Sequence, residues 1–179
     1  MEFAIALPLL ILLAYGMATV GVKFFEIGRN QLADYVLEEE VHDVMSRLIY
    51  DARAAKKAYA HNYGKERSVE FRYRMVYKDE NGNFNDQEES RVFIVTGLKE
   101  LNSKMNYKRK ISGNEPLTNP MTGKNYFGET RITDFEFSDP APNVLRVTLE
   151  MQSEVTKHKM RLTTAIYMPG CEIFKVSKI

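Results

Sequence analysis

The sequence has one cysteine, no tryptophan and almost no net charge. A lone thiol, Cys171, can neither close an intramolecular disulfide nor build a thiolate zinc site. With 25 Lys and Arg against 24 Asp and Glu, no global field draws the chain to nucleic acid or to an anionic membrane. Catalytic spacings are missing as well: there is no H-E-x-x-H, no G-x-S-x-G and no G-x-G-x-x-G. Gly123-Lys124 ends a would-be phosphate loop, but Thr118 stands where its first glycine belongs and Asn125 where the magnesium-binding hydroxyl belongs. Asp79, Asn81 and Asn83 are calcium-ligand types at alternate positions, yet Gly82 comes too early and Ser90 replaces the bidentate acid, so the run reads as a solvated hairpin loop. His42, His61 and His158 fit no zinc spacing. These absences predict no enzyme, no metal and no cofactor.

What the chain does have is concentrated at its front. Residues 3–22 (FAIALPLLILLAYGMATVGV) carry no charge, and as a helix of 1.5 Å rise they cover about 30 Å, the hydrocarbon thickness of a bilayer. Pro8 falls near the start, where a missing amide does least harm. A buried core helix is usually shorter and one-sided, and a signal peptide wants a cationic start rather than Glu2. A retained membrane helix fits best. Lys23 and Arg29 behind it would, by the positive-inside rule alone, favour a cytoplasmic C-terminal part.

Behind the anchor, Leu32, Tyr35, Val36, Val41, Val44, Met45, Leu48, Ile49, Ala52 and Ala55 recur at three- and four-residue spacings, with Asp34, Glu38, Glu39, Asp43, Arg47 and Asp51 mostly between them. That is an amphipathic helix. Acids early and bases late suit the macrodipole. No proline interrupts, and Asn62-Tyr63-Gly64 offers a stop. The pattern predicts one helix from about residue 3 to 60, with a bend permitted at Gly28 and with Val44, Leu48, Ala52 and Ala55 packed on the C-terminal two-thirds of the chain.

After Gly64 the period changes to two. Val69, Phe71, Tyr73, Met75 and Tyr77 alternate with Glu70, Arg72 and Arg74. The same pattern recurs at Thr133, Phe135 and Phe137, at Leu145, Val147, Leu149 and Met151, and from Met160 to Met168. Clean alternation means a sheet covered on one face, the antiparallel habit. The apolar run 91–97 reads as a central strand, and 79–89 and 115–130 as loops. The fold class predicted is α+β: a long N-terminal helix packed by its C-terminal half on a small antiparallel sheet of five to seven strands. The divisions are 1–25 anchor, 26–61 amphipathic helix and 62–179 head. Lys104, Lys108 and Lys110, interleaved with Met105, Tyr107 and Ile111, suit either a polyanion contact, nucleic acid included, or a solvated strand guarded by lysines.

This plan resembles the type IV pilin and pseudopilin family, and within it the minor prepilins. The likeness is sharpest at Arg47, Leu48, Asp51, Arg53 and Ala55, which match a short motif near the end of the long helix in the large minor pseudopilins. The later stretches 132–137, 143–149 and 162–166 have the same plan. The resemblance implies a structural subunit of a type IV pilus or type II secretion-like filament, serving secretion, DNA uptake or motility. Its partners are other pilin or pseudopilin subunits, a membrane assembly platform and the lipid bilayer. It places the C-terminal domain outside the cytoplasm, on a single-pass anchor in the cytoplasmic membrane, and this outweighs the two cations. Glu2 then matches the family's subunit-pairing acid by its spacing to the Asp51 motif, although no basic leader precedes it, so that either the sequence starts inside the mature helix or the anchor is an uncleaved variant. Ala14, Ala18 and Gly21 are the small residues that permit close helix approach. The alternative is a membrane-anchored extracytoplasmic binding domain with no filament role.

Overall fold

Twenty apolar positions followed by an apolar stripe give a single uninterrupted helix, α1, from Glu2 to Ala54 in the computed structural model of the chain. Its 53 residues extend about 80 Å at 1.5 Å per residue. The structure describes residues 2–78, 82–100, 103–111, 116–122 and 129–178, without the side chains of 2–6, 77, 78 and 178. The side chain of Glu2, the loop residues Asp79 and Asn81, and the stretch 123–125 lie outside the described residues.

The helix ends about six residues earlier than its spacing predicts. Ala55 N–H reaches back to Ala52 C=O (3.2 Å), and the chain is then taken over by strands: Lys56 N–H donates to Arg72 C=O (2.9 Å) and Glu172 N–H to Lys56 C=O (2.8 Å). Residues 57–60, expected to be helical, instead open β1 (Lys57–Tyr63), with Ala58 and Ala60 fully buried at strand spacing. Gly64 is not a helix stop. It takes φ +45° in a two-residue turn that pairs Tyr63 with Glu66, a conformation glycine adopts without a Cβ clash.

The sheet is larger than expected. Nine strands are formed among the described residues: β1, β2 (Glu66–Lys78), β3 (Phe84–Thr96), β4 (Lys104–Ile111), β5 (Leu117–Pro120), β6 (Thr130–Ala141), β7 (Val144–Ser153), β8 (Lys159–Tyr167) and β9 (Ile173–Lys178). They make a six-stranded sheet in the order β5-β4-β3-β2-β1-β9 and a three-stranded sheet β6-β7-β8. All pairings are antiparallel except β1 with β9, which run parallel. The growth comes from β1, formed where helix was expected, from the C-terminal β9, and from two stretches read as loops. Residues 84–89 extend the β2–β3 hairpin out to Lys78 opposite Phe84, and 117–120 add a short edge strand to β4. Because that hairpin projects, Met75 is exposed rather than buried.

One apolar core joins the three parts. Leu37, Val41, Val44, Met45, Leu48 and Ala52 of α1 pack with Phe71, Phe93, Val95 and Met105 of the large sheet and with Phe135, Val147, Leu149 and Met151 of the small one. The helix lies chiefly against β7 and β8 and touches β2. A β-bulge between Ile132 and Asp134 turns both Ile132 and Thr133 inward.

Candidate functional site

The helix has two halves with opposite surroundings. From residue 7 to 32 every side chain is exposed; Ala33 is the first buried one among the described residues. Leu10, Tyr15, Phe24 and Phe25 are all at least 70% exposed, and the apolar side chains of this stretch point in every direction around the axis. Such a surface is not a protein exterior in water. The segment is long and apolar enough to cross a bilayer. Ala14, Ala18 and Gly21 lie on one side of it, each exposed, and nothing lies within 4 Å of where a Cβ at Gly21 would sit. Helix positions four and three apart face together, so these residues form a shallow strip that a second backbone can approach closely.

The other half is seated. Val44, Leu48 and Ala52 are fully buried, and Ala55 is buried one residue beyond the helix end. Leu32 and Tyr35, which the spacing put on the packed stripe, face away from the head and are exposed. In their place Ala33 and Leu37 turn inward. Polar contacts fix the seat along its length. Asp34 accepts from the Thr156 hydroxyl, with His158 Nδ1 3.7 Å away, and the Thr130 hydroxyl donates to the Glu40 carboxylate. Ser153 steadies the intervening β7–β8 turn, its hydroxyl accepting from the N–H groups of Val155 and Thr156.

At the far end a charged cluster closes the seat. Asp51 is 1% exposed, and its Oδ1 accepts from Arg91 Nη1 at 2.6 Å. Arg91 also donates through Nε to Glu89 Oε1 at 2.7 Å, and Glu89 binds Arg109 through both carboxylate oxygens, at 2.8 and 3.1 Å. Tyr73 hydroxyl donates to the backbone carbonyl of Asp51 (2.7 Å), and the guanidinium of Arg47 lies over the Tyr107 ring, 4.2 Å from its centre. The motif residues Arg47, Leu48 and Asp51 therefore act together, pinning the last turns of α1 to β2, β3 and β4. Burial pushes the Asp51 carboxyl above its ordinary range, against the pull of Arg91. Burial also opposes ionisation of Glu89, but the guanidiniums of Arg109 and Arg91 outweigh it and hold that carboxyl below its ordinary range. Of the partners, Tyr73 was placed by alternation on the covered face of its strand, whereas Glu89, Arg91 and Arg109 were not singled out by spacing. Their one signal is that each shares strand parity with buried residues such as Phe71, Phe93 and Tyr107.

Lys104, Lys108 and Lys110 stand on the outer face of β4, beside Ser90, Val92 and Thr96 of β3, with no ion pair among the described residues. Tyr107 between them is 3% exposed on the opposite face, beneath Arg47, and so offers no ring on which a base could stack. The geometry leaves the lysines as a cationic strip without aromatic partners. Comparison of the chain with family models, with curated proteins and with solved structures finds no match.

Proposed function

We propose that the chain is a structural subunit of an extracytoplasmic filament, a minor pilin or pseudopilin of a type IV pilus or type II secretion-like machine, and that it performs no catalysis. The front of α1 holds it in the cytoplasmic membrane, the head lies outside the cytoplasm, and the same helix joins neighbouring subunits. The observation that carries this reading is the division of one unbroken helix into an apolar front exposed on every side and a rear locked to a rigid head. A mere tether would have no need of such rigidity. A flexible linker anchors a head equally well, whereas a stiff rod transmits the position of the span to the head.

In lipid the apolar front gains little from meeting another apolar helix, so close packing and polar contacts decide association. Ala14, Ala18 and Gly21 supply the close approach. Glu2 supplies a charge that costs a few kcal/mol in hydrocarbon and is relieved by a cation such as the terminal amine of an adjacent subunit. Other subunits of the filament and a polytopic assembly platform are the partners, and no nucleic-acid contact is needed.

Two full-length variants test this reading by co-purification from membranes. Gly21→Leu meets open space within the subunit, so it should leave membrane insertion and the melting of the head unchanged while lowering recovery of companion subunits severalfold. Glu2→Gln should do the same by removing the pairing charge. Full recovery of companions by both variants would rule out assembly through the front of the helix.

A further inference from the structure

Past the end of α1 one strand edge is left without a neighbour. β1 accompanies β2 only as far as Lys57 opposite Arg72, whereas β2 runs on to Lys78. Arg72 C=O accepts from Lys56 N–H, so the main-chain groups of Arg72 point towards β1. Alternate residues of a strand point alike. Those of Arg74 and Val76 therefore face the open side, with no main-chain partner there among the described residues. Native sheets usually cover or guard such an edge. Here Arg74 is drawn across the hairpin to Asp86, and Met75, Val76 and Phe84 are 40, 60 and 75% exposed.

The notch is closed at one end. Lys56 fills it where β1 begins, and both its main-chain groups are taken, the N–H by Arg72 and the C=O by Glu172. A cavity of about 490 Å³ opens there, with Lys56, Lys57, Tyr73, Arg74, Glu88 and Glu172 in its lining. Its charges are matched except for one. Lys57 pairs with Glu88 at 3.4 Å, Arg72 with Glu70 at 2.8 Å, and Arg74 interacts with both Asp86 and Glu172. The Lys56 ammonium is exposed and has no ion pair among the described residues.

We propose that this notch takes the C-terminal segment of a partner polypeptide, added as a strand antiparallel to β2 with its terminal carboxylate on Lys56. A strand entering in that direction runs in line with β1 and must stop or turn away where Lys56 stands, so a free end fits better than a passing chain. The unmatched ammonium selects the carboxyl end, because a strand added parallel to β2 would bring a terminal amine to the same cation. With the last residue opposite Arg74, the second from the end lies opposite Met75 and the third opposite Val76. Apolar side chains at those two places would cover what the hairpin leaves exposed. The site adjoins the end of α1 farthest from the anchor, and the inference does not depend on the filament reading.

Peptide binding to the full-length chain in detergent micelles tests it. The probe is a library of octapeptides randomised at every position, made once with free and once with amidated C-termini. Selection should enrich free-acid peptides with apolar residues second and third from the end. Amidation should weaken these about fivefold, the scale of one exposed ion pair, and Lys56→Gln should remove the difference between acid and amide. The main-chain N–H of the third residue from the end faces β2, and that of the second faces solvent. Methylating the third nitrogen should therefore weaken binding severalfold, and methylating the second should not. No enrichment from either library would overturn the site. Equal enrichment from both would overturn the role of Lys56, and indifference to the position of the methyl group would overturn strand addition. None of these failures touches assembly through the front of the helix.

Discussion

Removal of residues 1–26 should yield a soluble, folded head, whereas removal of residues 1–55 should yield aggregate. The first cut takes no buried side chain among the described residues, since burial begins at Ala33. Its only described side-chain hydrogen bond, from Thr19 to the Tyr15 carbonyl, lies within the deleted segment. The second cut removes Val36, Leu37, Val41, Val44, Met45 and Leu48, all at most 4% exposed. At about 1.5–3 kcal/mol for each fully buried side chain, their loss approaches 9–18 kcal/mol, as large as the whole stability of an ordinary domain at about 5–15 kcal/mol. It also strips Arg91 of Asp51 and exposes the inner faces of β7 and β8. Circular dichroism, thermal melting and gel filtration distinguish the outcomes: a cooperative melt and a monomer for the first, no native transition for the second. Equal behaviour of the two truncations would mean that the rear of α1 is not part of the core.

The contrast between those truncations was largely legible in the residues themselves. Twenty uncharged positions and a one-sided stripe are strong local signals, and both halves of α1 arise from them. Its end was not legible, because 52–60 satisfies two periods at once. Ala52 and Ala55 continue the helical spacing, and Ala58 and Ala60 begin the strand spacing. The choice is made by chain far away, when Arg72 and Glu172 take the backbone groups of Lys56. Residues 84–89 hid for a different reason. Asn85, Asp86, Gln87 and Glu88 are polar on a projecting hairpin, Phe84 is exposed and Glu89 is buried as a carboxylate, so no apolar alternation marks the run. Cross-strand partners hold them instead, as Arg74 holds Asp86. The parallel pairing of β9 with β1 joins residues more than a hundred positions apart and leaves no trace in local alternation.

The clasp at the end of the helix was half visible: Asp51 and Arg47 stood in the stretch that carries the resemblance, and their partners did not. Its charges nevertheless predict two opposite pH responses. In the soluble head, Glu89→Gln should cost about 3 kcal/mol at neutral pH, because Arg91 and Arg109 lose the buried carboxylate that both bind. For a head of this size that is a fall of roughly 6–12 °C in melting temperature. The carboxyl of Glu89 is held below its ordinary 4.5 in the fold, so its contribution is complete above 4.5 and disappears as pH falls through the depressed value. The gap between wild type and Glu89→Gln should accordingly close in acid. Asp51 has the opposite sign. Burial raises its carboxyl above 3.8, so the folded protein takes up that proton more readily than the unfolded chain, and acidification down to about 3.8 stabilises the fold through this group. Asp51→Asn should therefore cost less than Glu89→Gln at neutral pH, and wild type should gain on it as pH falls towards 3.8. Melting curves of the three proteins between pH 7 and 3 decide the matter. Parallel pH profiles for the two variants would show that the acids share one environment, and that the clasp does not shift its two carboxyls in opposite directions.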